Sequence, residues 1–145
     1  MTQDDPVALA RAVAEAMWAD DRASNALGMR IQEVGPGRAV LSMTVTERMV
    51  NGHGMCHGGF IFTLADSAMA FASNSHGERA VAQHCAVTFL RPGRLGETLR
   101  AEAAERARLR RSGIYDVRVF GADGAVLAEF RGHTRTIPGS FRLAR

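Results

Sequence analysis

Cysteine is nearly missing: the 145 residues hold two, Cys56 and Cys85. Two thiols cannot staple a small scaffold, which excludes a disulfide framework. Long apolar runs are missing as well. The nearest candidate, Phe60 to Ala72, is short and carries Asp66, which argues against a membrane span. The opening MTQDDPVALARAV is acidic ahead of its apolar part and has no basic n-region, so no secretory signal is expected. Aromatic residues make up only 6%, and none interleaves with the one dense basic run, Arg106, Arg108, Arg110 and Arg111. Stacking platforms for nucleic acid need such aromatics. The expectation is a cytoplasmic protein with no nucleic-acid partner and no membrane partner.

Charge is scarce in one place above all. Between Val50 and Gly77 the only formal charge is Asp66, in the middle of the apolar stretch HGGFIFTLADSAMAFASNS, His57 to Ser75. A carboxylate on a buried helix face is costly unless it is paired, solvated or used. The stretch opens with His57-Gly58-Gly59, where bare backbone N–H groups can face a ligand at a helix start. Such a start stabilises negative charge. Glycine lets the backbone approach without a Cβ in the way.

What is present in quantity is ordinary for a globular chain: 46% hydrophobic and 23% charged residues, with a net charge of +3. The length predicts one domain over residues 1–145, large enough for a real core. Asp5-Pro6 reads as an N-cap followed by proline at N1, and the apolar spacing predicts a helix over about 6–20. A helical turn is expected over 22–27, ending at Gly28. Strands are expected over 29–34 and 38–46, around Gly35-Pro36-Gly37. The central helix is expected over about 57–76, with Gly77 just past its end. Strand patterns then occupy 79–91, 96–109, 112–121 and 125–137, the last pair joined at Asp123-Gly124. The order predicts an α+β fold in which an antiparallel sheet wraps a helix that is apolar nearly all round. A sheet this small leaves an edge that a second copy can cover.

The stretch NGHGMCHGG (Asn51 to Gly59) followed by Leu64-Ala65-Asp66 resembles the signature of hotdog-fold acyl-CoA thioesterases. With Asn74-Ser75, FLRPG (Phe89 to Gly93), SGIYDV (Ser112 to Val117) and FRG (Phe130 to Gly132), it resembles the phenylacetic-acid-degradation (PaaI/PaaD) thioesterase family over nearly the whole chain. The resemblance implies hydrolysis of phenylacetyl-CoA or hydroxyphenylacetyl-CoA thioesters to free acid and CoA, in phenylacetate breakdown. It implies that Asp66 is the catalytic carboxylate, that Gly58 presents its N–H to the thioester carbonyl, and that Asn51 helps place the nucleophile or water. It also implies a site shared between two subunits and a homodimer that assembles into a homotetramer. No cofactor is expected, since coenzyme A is part of the substrate.

Each residue also has a plainer reading. Asp66 is otherwise a structural acid, Gly58 and Gly59 turn glycines, and Asn51 an Asx-turn residue. His57 is given a supporting role, as orienting or capping groups are commoner before a helix start than acids or bases. Asp66 acts either as general base or as nucleophile, and the residues leave both routes open. Gly59, Gln83 and His84 are candidates to line the substrate pocket. His53, Cys56, His57, His84 and Cys85 lack a usual zinc spacing, so no metal is expected. The arginine run is equally a solvated hairpin or a site for coenzyme A phosphates. A non-catalytic acyl-CoA sensor on the same fold is the alternative function; it has no need of a carboxylate at Asp66.

Overall fold

A computed structural model describes residues 5–144. Residues 1–4, with Asp4 the first acid of the opening read above against a secretory signal, lie outside the described residues. Helix α1 (Pro6–Asp20) starts where the sequence predicts: the Asp5 carboxylate accepts the Val7 N–H at 3.0 Å, and Pro6 stands at N1. It buries Ala10, Val13 and Ala14. Asp21 then turns the chain, closing α1 and capping the short α2 (Arg22–Ala26). Its two carboxylate oxygens accept the Ser24 N–H (3.0 Å) and the Ser24 hydroxyl (2.7 Å). The Ser24 Oγ in turn lies 3.0 Å from the Ser67 Oγ, at a buried contact with the central helix.

Strands β1 (Arg30–Gly35) and β2 (Arg38–Thr44) form the first hairpin. A 3-10 turn at Glu47–Met49 and a glycine-rich loop lead into α3 (Gly58–Asn74). Then follow β3 (Ala80–Phe89), β4 (Thr98–Leu109), β5 (Ser112–Phe120) and β6 (Val126–Thr136). All pairings are antiparallel, and the spatial order is β1-β2-β4-β5-β6-β3. The chain therefore crosses the whole sheet through α3, which packs on all six strands. Leu64, Ala68 and Phe71 of α3 are fully buried against a sheet face that includes Leu41, Leu99 and Val117. Each large side chain of this kind contributes about 1.5–3 kcal/mol relative to exposure.

Helix α3 is shorter at its C-terminal end than the sequence pattern suggests, and Asn74 is the reason. Its amide donates to the Ala70 carbonyl (2.7 Å) and to the Ala80 carbonyl (3.1 Å), and its oxygen accepts the Ala80 N–H (2.8 Å). One side chain thus ends the helix and anchors the start of β3. Gly77 takes the left-handed conformation (φ +89°) that the turn between them needs.

Several quoted motifs turn out to be packing devices. A Cβ on Gly132 would collide with the Met69 Sδ, so the glycine of FRG lets α3 seat on β6. A Cβ on Gly113 would stand 2.7 Å from the Thr134 hydroxyl and 2.8 Å from the Tyr115 ring. Arg91 of FLRPG ties its turn to Asp123 (2.8 Å) and Glu97 (3.4 Å) at the β5–β6 hairpin and the β4 start.

Candidate active site

Asp66 lies half-buried in the middle of α3. Two causes act on its carboxyl, burial first and the Asp21 carboxylate second, and both push its pKa above the usual aspartate value. Among the described residues, no hydrogen bond or cation opposes them. An acid spent on structure would have such a partner, so the plainer reading of Asp66 loses ground. Cys85 faces it from β3: its thiol is pushed up by burial and then by the Asp66 charge.

The helix start lies eight residues upstream. His57 occupies the N-cap position with an extended backbone (φ −57°, ψ 136°), yet its side chain makes no capping hydrogen bond and is exposed. A capping role for the His57 side chain is thereby corrected. The first N–H groups of α3, at Gly58 and Gly59, consequently have no intrahelical acceptor. The two glycines differ. A Cβ on Gly58 would come within 2.7 Å of the far end of the exposed Phe89 ring, which would have to shift to admit it. A Cβ on Gly59 would meet nothing within 4 Å, so nothing in the described chain explains that glycine.

Asn51 organises the loop before α3. Its side-chain oxygen accepts the N–H groups of His53 (2.9 Å) and Met55 (3.2 Å), an Asx-type turn that fixes the loop. Its amide NH2 has no role in that turn and remains as a donor.

Gln83 and His84 are placed differently from the expectation that they reach the slot beside Asp66. A β-bulge between Ala82 and His84 shifts the register against β6. It turns His84 to the outer sheet face, where its ring meets His133 edge-on at 5.4 Å. Gln83 sits at the bulge, exposed. Cys85, opposite Gly132, takes the inward position instead. The sequence did not place either Cys85 or Asp21 beside Asp66; Cys85 was weighed only as a metal ligand. Asp21 was visible as an acid before a short helix; the parity change at Cys85 had no signal.

Among the described residues, no group of three or more His, Cys, Asp or Glu side chains is placed to hold a metal ion, and no helix is long and apolar enough to cross a membrane. In the arginine run, the Arg106 Nε donates to Asp116 at 2.9 Å, while Arg110 sits at the β4–β5 turn with φ +56°. Arg108, Arg110 and Arg111 gather near His76 at the C-terminal end of α3, where cations are favourable.

This arrangement offers an accessible carboxylate and open backbone donors, the two elements needed to attack a carbonyl and hold the resulting oxyanion. Residues 53–128 match the family model of the thioesterase superfamily. The chain belongs to that superfamily. This thioesterase is 45% identical over 127 residues to the acyl-coenzyme A thioesterase PaaI of Escherichia coli, covering 88% of this chain and 91% of that protein. The solved structure of E. coli PaaI, from the phenylacetic acid degradation operon, superposes with a TM-score of 0.92 at 43% identity, covering 94% and 99% of the two chains. A mutant of the phenylacetic acid degradation protein PaaI from Thermus thermophilus gives a TM-score of 0.76 at 38% identity, covering 85% and 100%. A Streptococcus mutans protein bound to acetyl CoA gives 0.74 at 25% identity, covering 79% and 91%. The helix-in-sheet architecture of this thioesterase is the hotdog fold expected from its sequence, and the chain is a thioester hydrolase.

Proposed function

We propose that this thioesterase hydrolyses acyl-CoA thioesters with arylacetyl groups, phenylacetyl-CoA or its ring-hydroxylated forms, to the free acid and CoA. The observation that carries the reading is Asp66: a half-buried carboxylate, raised in pKa and without a hydrogen-bond partner among the described residues, on the helix whose start offers open N–H donors. The similarity to E. coli PaaI and the acetyl CoA bound to the S. mutans relative support the substrate class.

Asp66 and Gly58 of one chain cannot serve the same carbonyl. Eight residues of α-helix separate them by about 12 Å, whereas an oxyanion donor must stand about 3 Å from the reacting oxygen. This separation supports the arrangement that the family resemblance implies, in which two copies build each site, Asp66 from one and the Gly58 turn from the other. Strand β3 supplies the seam. It is a ten-residue edge strand, AVAQHCAVTF, exposed over most of its length and without a single charge. Solitary edges are normally blunted by charge, proline or cover. The homodimer, and the homotetramer built from it, are part of this proposal.

In the reaction, Asp66 takes a proton from water held by the free amide of Asn51, and the water oxygen attacks the thioester carbonyl carbon. The Gly58 N–H of the other subunit holds the oxyanion. Collapse breaks the C–S bond, and the CoA thiolate leaves and takes up the proton. His57 and Gly59 border the same helix start. Direct attack by Asp66 would instead form a mixed anhydride, and single turnover in ¹⁸O-labelled water separates the routes: label in the Asp66 carboxylate means direct attack.

The test is thiol release from a panel of acyl-CoAs, wild type beside Asp66→Asn. Fastest turnover on arylacetyl-CoAs, lost in the variant, supports the reading. Tight binding with no turnover on any thioester moves it to an acyl-CoA sensor.

A further inference from the structure

Helix α1 turns a stripe of Arg11, Ala14, Glu15 and Trp18, spaced i, i+3, i+4 and i+7, toward the chain that enters β1. Between helix and strand runs a groove of about 400 Å³, within the size range of small-molecule sites. Its floor is apolar. Ala14 and Met29 are buried there, and Trp18, Ile31 and Val34 are half-buried. Its rim carries three exposed charges, Arg11, Arg30 and Glu15. Neither Asp66 nor Gly58 lines it.

We propose that this groove is a second binding site, for a small apolar monocarboxylate. Rim and floor point to the same ligand from opposite ends. Among the described residues, Arg11 and Arg30 form no ion pair, whereas Arg38, Arg91, Arg106 and Arg131 are each tied to an acid elsewhere on the surface. A guanidinium offers the planar fork that a carboxylate fits. Two arginines against one glutamate leave the rim with a single net positive charge. That balance matches one negative charge. A dianion, or the phosphates of coenzyme A, would meet Glu15 with no second net cation to offset it. At the floor, the Trp18 ring and the Met29 side chain favour an aromatic or branched body.

A chain segment fits this groove less well. Strand β1 is an edge of the sheet, but its register breaks between Ile31 and Glu33, and Arg30 and Glu33 stand on it. Bulges and charges keep an edge from taking up another strand. The groove also reaches the helix that carries Asp66: Trp18 packs on Phe71 of α3 with ring centroids 6.3 Å apart. The free acid released in the proposed reaction belongs to the ligand class, so the site would sense the product. That link rests on the proposed reaction; the binding does not.

Trp18 is the chain's one tryptophan, so its emission reports on the groove directly. The experiment titrates phenylacetate and its uncharged analogue phenylacetamide into wild type and Arg11→Gln/Arg30→Gln, following Trp18 emission at low ionic strength. Both arginines are exposed, so the variant is expected to fold, which circular dichroism checks. Phenylacetate should give a saturable change at millimolar concentration in wild type. The amide, and the acid in the double variant, should each bind about tenfold or more weakly, as loss of a hydrogen-bonded charge pair implies. No saturable change with phenylacetate overturns the proposal. Equal affinity for acid and amide overturns it as well, and so does an affinity unmoved in the double variant, which places the acid elsewhere. Emission that follows protein concentration instead of acid gives the groove to a second copy and overturns it too. Thiol release plays no part in the readout, so failure of this site and failure of the proposed reaction are told apart.

Discussion

Asp66 is a liability to the fold, and that makes its role measurable. Its pKa is raised, so the folded state favours the protonated carboxyl. The stability linked to this group is complete below the ordinary value of 3.8 and is lost as pH rises through the higher folded value. Asp66→Asn never ionises. It should melt higher than wild type at neutral pH, the gap closing toward pH 3, while turnover falls about 10²–10⁴-fold. Thermal scans across pH and thiol-release assays check the two halves, and a variant that is less stable at neutral pH contradicts the first. Asp21→Asn keeps a capping side chain but removes the second cause of the raised pKa. The acid limb of its kcat/KM profile should move to lower pH, with the share due to burial remaining. At this scale the sequence was legible where chemistry forces a rare residue: one charge in an apolar stretch, and glycines at a helix start. It was not legible at Cys85, because one bulge residue reverses which strand positions face inward. Nor did it separate Gly58, whose Cβ position the Phe89 ring crowds, from Gly59, which faces open space.

The elements followed their local signals closely, since caps and turns are written in a few residues. Asp5-Pro6 started α1 as expected, and Asp123-Gly124 lies in the turn between β5 and β6. The end of α3 did not follow, because Asn74 is recruited by Ala80, a partner that only the fold brings near. Further along, Tyr115, fully buried, donates its hydroxyl to Glu105 at 2.8 Å, and the His76 Nε2 meets the same oxygen at 2.9 Å. This joins the end of α3 to β4 and β5. Tyr115→Phe removes a hydrogen bond to a charged group and should cost about 1.5–3 kcal/mol in denaturant unfolding. A loss below about 0.5 kcal/mol contradicts the link. At the β6 contact, Gly132→Val forces Met69 from its seat, and overpacking of this kind costs about 1–3 kcal/mol or more.

For the whole molecule, the sequence conveyed a wrapped helix and an open edge, because both follow from the apolar pattern of α3 and the small strand count. The strand order was beyond it, since the return of β4 to β2 is a long-range pairing with no local mark. The proposed sharing of the site is what the family resemblance implies, supported by the helical separation of Gly58 and Asp66, and is open to a decisive experiment. Gly58 stands at N1, and His57 before it already has the extended backbone that precedes proline. Gly58→Pro therefore deletes the N–H with little backbone strain, and a companion Phe89→Ala makes room for the ring. Alone, this variant should lose about 10²–10³-fold in kcat.

The measurement to make first is thiol release by a mixture of Asp66→Asn and Gly58→Pro/Phe89→Ala chains, refolded or expressed together. Each homodimer is expected to be inactive. A mixed dimer pairs the intact Asp66 of one chain with the intact Gly58 of the other, and random pairing should restore about a quarter of wild-type activity. No recovery, with mixed dimers shown present by native mass spectrometry, would contradict a catalytic carboxylate and oxyanion donor drawn from different subunits.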